Sequence, residues 1–308
     1  MAFELAFDDE RLEKALWALA DDADPMPGLE CIAGSETAHQ RELAAAVLGR
    51  GGRLRLDRLR ELTAEQPYRP ERWLLLGAGL SAAAWDARGT ARAEDVSDHA
   101  IRAQQELVAE ARHALRQAAG LDRDDPVAWS ELTGVVIGAP QHRSEPADVF
   151  ARAGRDLFRA HSRRLTGLSR RWYGNQDKVL AFARARVERR PDGDPLHALI
   201  ALAHIEGYVD GLTRGTVIGR FWRAWRYFDD ATVQKETDAA SGRLLAGDDE
   251  HPWAMAAHQV FAALYHQAHR PDRARPHLDR SGTRAAEWPW RYFGEPEQLF
   301  QAAKAQSN

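Results

Sequence analysis

The chain has 308 residues, 44% of them hydrophobic and 29% charged, with a formal net charge of -4 at pH 7. That is enough apolar material for one large domain or two ordinary ones, and so small a net charge supplies no global field towards nucleic acid or an anionic membrane. The one cysteine, Cys31, excludes an internal disulfide and a cysteine-based zinc site, and reads as buried filler.

The opening "MAFELAFDDERLEKALWALADD" has no basic segment ahead of an apolar core, so it does not read as a secretory signal. No window approaches the roughly 18 unbroken apolar residues of a membrane span, and the expected location is the cytoplasm. Leu12, Leu16 and Leu19 line one face of a first helix starting near Asp8 or Asp9. "SETAHQRELAAAVLG" gives a second, with Ser35 as N-cap and Gly49 beyond its end. "LRLDRLRELTAEQP" is a third, stopped by Pro67. "PERWLLLGAGLSAAAWDARG" is a fourth, with Pro70 in its first turn and Gly89 closing it. Ser97 then caps a long helix running to about Ala119. Further helices are expected over 126–137, 145–160, 162–173, 176–189, 195–210, 229–246, 252–268, 272–280 and 296–306, with irregular stretches at 21–34, 139–144, 211–220 and 282–295. Alternating strand patterns are hard to find. The fold class predicted is all-α.

The helices carry a repeat. Tetratricopeptide repeats place Trp-x2-Leu-Gly-x2-Tyr on one helix and Ala-x3-Phe on the next, a small residue letting the two helices approach while large ones fill the space a turn away. Trp73, Leu76, Gly77 and Leu80 have the first spacing, and Ala111, Leu115 and Ala118 the second. Trp129, Leu132 and Val136 repeat it with Thr133 in place of glycine, and Ala262, Tyr265, Ala274 and Leu278 fit it again. Trp73 and Trp129 are 56 residues apart, against about 34 for one standard repeat; the excess is a longer first helix and the loop "DARGTARAEDVSD". The aspartates of "LDRDDP", Asp122, Asp124 and Asp125, fall at a helix junction, where carboxylates cap free N–H groups.

The stretches "AWDARGTARAEDVS" (84–97), "RWYGNQDKVLAFAR" (171–184), "GDPLHALIALAHIEG" (193–207) and "WPWRYFG" (288–294) resemble a group of bacterial tetratricopeptide-like proteins. The resemblance covers most of the chain from about residue 67. It implies a curved solenoid of antiparallel helical hairpins, and it brings no reaction and no functional residues. The expected organisation is one continuous domain, an N-terminal helical cap over 1–65 and a repeat region over 66–308, with a soft seam near 211–220.

Chemistry-bearing patterns are sparse. Two Glu-x-x-His pairs, Glu36/His39 and Glu110/His113, place a carboxylate and an imidazole on one helical face, the half-motif of di-iron bundles. A complete site needs two further carboxylates that no local pattern marks, and no cofactor is expected. His251, His258, His266, His269 and His277 read as helix-end and surface histidines. His204 and Glu206, two apart, point in different directions and form no dyad. Nucleophile-elbow, phosphate-loop, dinucleotide and His-Glu-x-x-His motifs are missing. The basic run over 152–171 holds a single Phe, Phe158, and no Tyr or Trp, which makes it a poor single-stranded nucleic-acid groove.

"RFWRAWRYF", 220–228, carries the most information. Arg220, Arg223 and Arg226 recur every third residue, with Phe221, Trp222, Trp225 and Phe228 between them. Guanidiniums can grip carboxylates bidentately while ring faces add stacking. The competing reading is a core-facing aromatic stripe with arginines solvated or paired to Asp229 and Asp230. The expected ligand site is Arg220, Trp222, Arg223, Trp225 and Arg226, binding a protein or acidic peptide; homo-oligomerisation is left open. The alternative is an all-α enzyme whose pocket is enclosed by the helices and sealed by the loops at 21–34 and 282–295, with Glu36, His39, Glu110 and His113 as candidate metal ligands.

Overall fold

The structure, a computed structural model, describes residues 9–88, 98–137, 145–154, 156–172, 174–213 and 226–307. All regular secondary structure among them is helical: 16 α-helices and two short 3-10 turns. They form two compact units, Asp9–Arg164 and Leu165–Asn308. No helix among the described residues is long and apolar enough to cross a membrane.

In the first unit, Asp9 caps α1 (Glu10–Ala20) by accepting the Leu12 N–H at 3.0 Å. Helix α2 (Met26–Ala33) occupies a stretch expected to be irregular. Pro27 stands in its first turn, where a proline lacks only an N–H that has no helical partner anyway. Cys31, on this helix, is buried, and burial pushes its thiol upward. Helix α3 (Ala38–Gly52) starts two residues later than Ser35 predicts, because Thr37 and Gln40 form a capping box. Ser35 instead donates to the Cys31 carbonyl at 2.9 Å. The helix also runs through Gly49, its expected end. A Cβ at Gly49 would lie 2.8 Å from that of Ala78, so this glycine serves close helix approach rather than termination.

Helix α4 (Leu56–Glu65) leads to α5 (Pro70–Arg88), which packs on α3 and, most extensively, on α6 (Asp98–Leu121). The glycine of the repeat spacing sits where these two meet: a Cβ on Gly77 would fall 2.6 Å from Leu115 Cγ. Helices α2, α3 and α4 each pack on α5, and α1 packs on α2 and α3.

At the junction before α7 (Val127–Ile137), Asp125 accepts the Val127 N–H at 3.1 Å and pairs with Arg41 at 3.1 Å, while Asp122 reaches Arg41 at 3.7 Å. These aspartates cap a helix and tie it to α3. The single helix expected over 145–160 is two, α8 (Glu145–Arg152) and α9 (Phe158–Gly167), broken at Gly154 with φ +81°.

Buried charge ties α3, α7 and α9 together. Glu42, fully buried, accepts the Arg159 and Ala160 N–H groups at 3.1 and 3.2 Å and the Ser130 hydroxyl, satisfying donors orphaned at the start of α9. Glu131, also buried, accepts from Arg159 at 3.0 Å and Arg163 at 2.8 Å. Burial raises the Glu42 carboxyl; it would raise Glu131 too, but the two arginines outweigh it and hold Glu131 low.

The second unit holds a 3-10 turn (Arg170–Trp172), α10 (Gln176–Val187), a second such turn (Pro195–His197), α11 (Ala198–Thr213), α12 (Ala231–Leu245), α13 (Ala254–Gln267), α14 (Pro271–Leu278), the one-turn α15 (Glu287–Trp290) and α16 (Pro296–Ser307). Its core is α11 and α13, apolar on nearly every face over 198–206 and 256–265. Ala262, Tyr265, Ala274 and Leu278 are all buried on the packed pair α13 and α14. Trp290, expected in a pocket-sealing loop, is fully buried, edge-on to Phe300 and donating to Gln259 Oε1 at 3.0 Å.

Candidate functional site

Of the five ligand residues expected in 220–228, Arg220, Trp222, Arg223 and Trp225 lie outside the described residues. Arg226 is described: it is exposed and forms no ion pair among the described residues. The two aromatics after it face inward. Phe228, 4% exposed, stacks on Tyr208 of α11 at 5.2 Å. Tyr227 hydrogen-bonds Nδ1 of His204 at 3.1 Å. Asp230 caps α12 by accepting the Thr232 and Val233 N–H groups, which lower its carboxyl.

Tyr227 is one end of a polar chain. His204, 3% exposed on α11, bonds Glu236 of α12 through Nε2 at 3.1 Å. Since the carboxylate can only accept, Nε2 carries the hydrogen and Nδ1 receives the Tyr227 hydroxyl. Glu236 in turn accepts from Arg184 of α10 at 2.7 and 2.9 Å. The fit at Tyr227 is tight, since a Cβ on Gly207 would lie 2.3 Å from its hydroxyl oxygen. Burial lowers His204 in spite of Glu236, and burial with the charges of Glu236 and Asp230 raises Tyr227. Arg184 holds Glu236 low. His204 therefore has both nitrogens committed and offers no free base.

Beside Arg184 and Glu236 opens a pocket of about 470 Å³ between α10, α11 and α12. Val187, Ile200, Ala239 and Ala240 give it apolar walls; Glu188, His197 and Arg243 complete the rim and floor with the Arg184–Glu236 pair. Its size is that of a site for a small ligand or one or two side chains of a peptide.

Two more buried polar clusters lie in this unit. Glu206, 3% exposed, accepts from Arg171 at 2.8 Å and from the Tyr292 hydroxyl at 2.7 Å. Burial and the Glu206 charge push the Tyr292 hydroxyl up to about 12. The second cluster corrects the reading of the C-terminal histidines as helix-end and surface groups. His258 and His277 are fully buried and joined Nδ1 to Nδ1 at 2.8 Å. His258 Nε2 meets Asp249 at 2.7 Å, and His277 Nε2 meets the Ser241 hydroxyl at 2.7 Å. One arrangement satisfies all three bonds with neutral rings: Ser241 donates to His277, His277 to His258, and His258 to Asp249. Burial, first among the causes, lowers both histidines. Ser241 is only 6% exposed, so the chain fixes α12, α13 and α14 rather than presenting a nucleophile.

The Glu-x-x-His pairs do not converge. Glu36 lies before α3 and His39 in its first turn. Glu110 is bonded bidentately to Arg60, both contacts at 2.7 Å, and His113 packs edge-on to Trp73 at 5.7 Å. Among the described residues no three His, Cys, Asp or Glu side chains are arranged to hold a metal ion. Sequence reasoning missed Gln176, Arg184, Glu188, His197 and Glu236; each is an ordinary polar residue on a helix or turn, and only packing brings them together. Compared with protein-family models, curated proteins and solved structures, the chain matches none.

Proposed function

We propose that the chain is a peptide- or protein-binding module, built on tetratricopeptide-like helical hairpins, that takes an acidic segment of a cytoplasmic partner through residues 220–228. The observation that carries this reading is Arg226, exposed and unpaired among the described residues while Tyr227 and Phe228 anchor the backbone beside it. A guanidinium on an anchored backbone loses less freedom on binding than one on a loose segment, so more of its pairing energy appears as affinity. The commitment of His204 and Glu236 to each other favours binding over acid–base chemistry. The tetratricopeptide-like part is supported by the close Gly77–Leu115 approach and by buried Ala262, Tyr265, Ala274 and Leu278.

The test is fluorescence anisotropy with a labelled library of acidic, aromatic-containing peptides, measured on the full chain and on the Arg220→Ala, Arg223→Ala, Arg226→Ala triple variant. The expected result is saturable, salt-sensitive binding that the triple variant loses at unchanged thermal stability. Binding of equal strength in the variant, or no acidic peptide bound by the parent, would refute the assignment.

A further inference from the structure

The pocket between α10, α11 and α12 differs in charge character from the arginine-rich segment. Both of its cations are already matched. Arg184 is gripped by the two oxygens of Glu236, and Arg243 donates to Asp192 at 2.9 Å, to the Val187 carbonyl at 3.3 Å and to the Arg190 carbonyl. Glu188 is different: it lines the pocket, is exposed, and has no ion-pair partner among the described residues. The lining holds two carboxylates and two guanidiniums, and since Arg243 is matched by Asp192 from outside the lining, Glu188 is the lining charge left over among the described residues.

Glu188 is also misplaced as a stabilising residue. It is the C-cap of α10, at the end where the helix dipole already puts partial negative charge. A carboxylate there works against the helix, and a cation held there would be favoured by both. His197 adds to the pattern. Its Nε2 bonds the Pro191 carbonyl at 2.8 Å and so carries the hydrogen. That leaves Nδ1, on a residue that lines the pocket, a buried acceptor without a hydrogen-bond partner.

We propose that this pocket binds a small organic amine, an apolar body against Val187, Ile200, Ala239 and Ala240 with its ammonium paired to Glu188 at the end of α10. An acid of the same shape would meet the Glu188 charge and the helix dipole, and could gain a cation only by displacing Glu236 or Asp192. The proposal does not rest on the reading of residues 220–228, and it fails or stands separately.

Calorimetric titration of the whole chain with phenethylamine, and with hydrocinnamate as its acidic counterpart, tests it. Phenethylamine is expected to bind with a Kd near or below about 1 mM, and hydrocinnamate at least about fivefold more weakly, the reach of a partly exposed ion pair. Glu188→Gln should weaken the amine about fivefold without lowering thermal stability, because the side chain it replaces is exposed and has no ion-pair partner among the described residues. The proposal is overturned if hydrocinnamate binds as tightly as the amine, if Glu188→Gln leaves the amine's affinity unchanged, or if the amine shows no saturable binding up to about 10 mM. The binding of acidic peptides by the Arg226 segment is unaffected by any of these outcomes.

Discussion

Replacing Glu131 by glutamine keeps the side chain's shape and removes the one charge that separates Arg159 from Arg163. In the parent, both guanidiniums converge on this carboxylate at 3.0 and 2.8 Å, and the glutamate is 1% exposed. Removing one partner of a buried ion pair costs roughly 3–5 kcal/mol, because a charge stays buried without compensation. The arginines here are 28% and 15% exposed at the side chain and can draw some solvation as they relax, so the low end, about 3 kcal/mol, is expected. A unit of about 150 residues unfolds with an entropy near 0.3 kcal/mol per kelvin, which makes this a fall in Tm of about 10 °C. Urea unfolding followed by circular dichroism gives the free energy, and amide hydrogen exchange over α9 gives its location, since Arg159 and Arg163 both stand on that helix. A double cycle with Arg163→Gln should recover part of the loss, because the second substitution removes one of the stranded charges. A loss below about 1 kcal/mol with α9 amides still protected would refute the reasoning, and the cluster would then count as a surface ion pair.

The histidines make the second unit acid-sensitive. His197, His204, His258 and His277 are all lowered chiefly by burial, so below about pH 6.5 the unfolded chain takes up protons that the folded unit refuses. Stability is therefore full above that value and lost as pH falls through it. Lowered Glu236 and Asp238 extend the loss below about pH 4.5. Thermal melts between about pH 7.5 and 5 should show a falling Tm, and a flat profile would contradict neutral buried imidazoles. Gly207→Ala should cost about 1–3 kcal/mol by overpacking, because its Cβ lands on the Tyr227 hydroxyl and on Gln176. Acidic-peptide affinity should fall with it, as Arg226 loses its anchored neighbour. Unchanged stability and affinity in that variant would show that Tyr227 does not hold the segment.

Individual elements show where sequence reasoning was sufficient. The α5 limits at Pro70 and the stop before Pro67 follow from backbone chemistry that no tertiary contact overrides. The Asp125 cap at the start of α7 is equally local, a carboxylate accepting from an N–H two residues along the chain. Reasoning from sequence went astray where a residue's local meaning and its tertiary use diverge. Gly49 reads as a helix end, yet it sits inside α3 because Ala78 needs the space. His258 and His277 read as surface groups since polar residues at helix ends usually are, and they are buried because each finds its partner on another element.

The sequence by itself determined that the chain is helical, where most of its helices begin and end, and that the aspartates at 122–125 serve a junction. Those features depend on periodicity, prolines and caps, which act within a few residues. Only the tertiary structure decided that Tyr227 meets His204, that Arg184 is matched by Glu236, and that Glu188, among the described residues, lines a pocket without an ion-pair partner. Such pairings depend on which helix faces are apposed across tens of residues of chain, and a polar side chain carries no local mark of the partner that packing will bring to it.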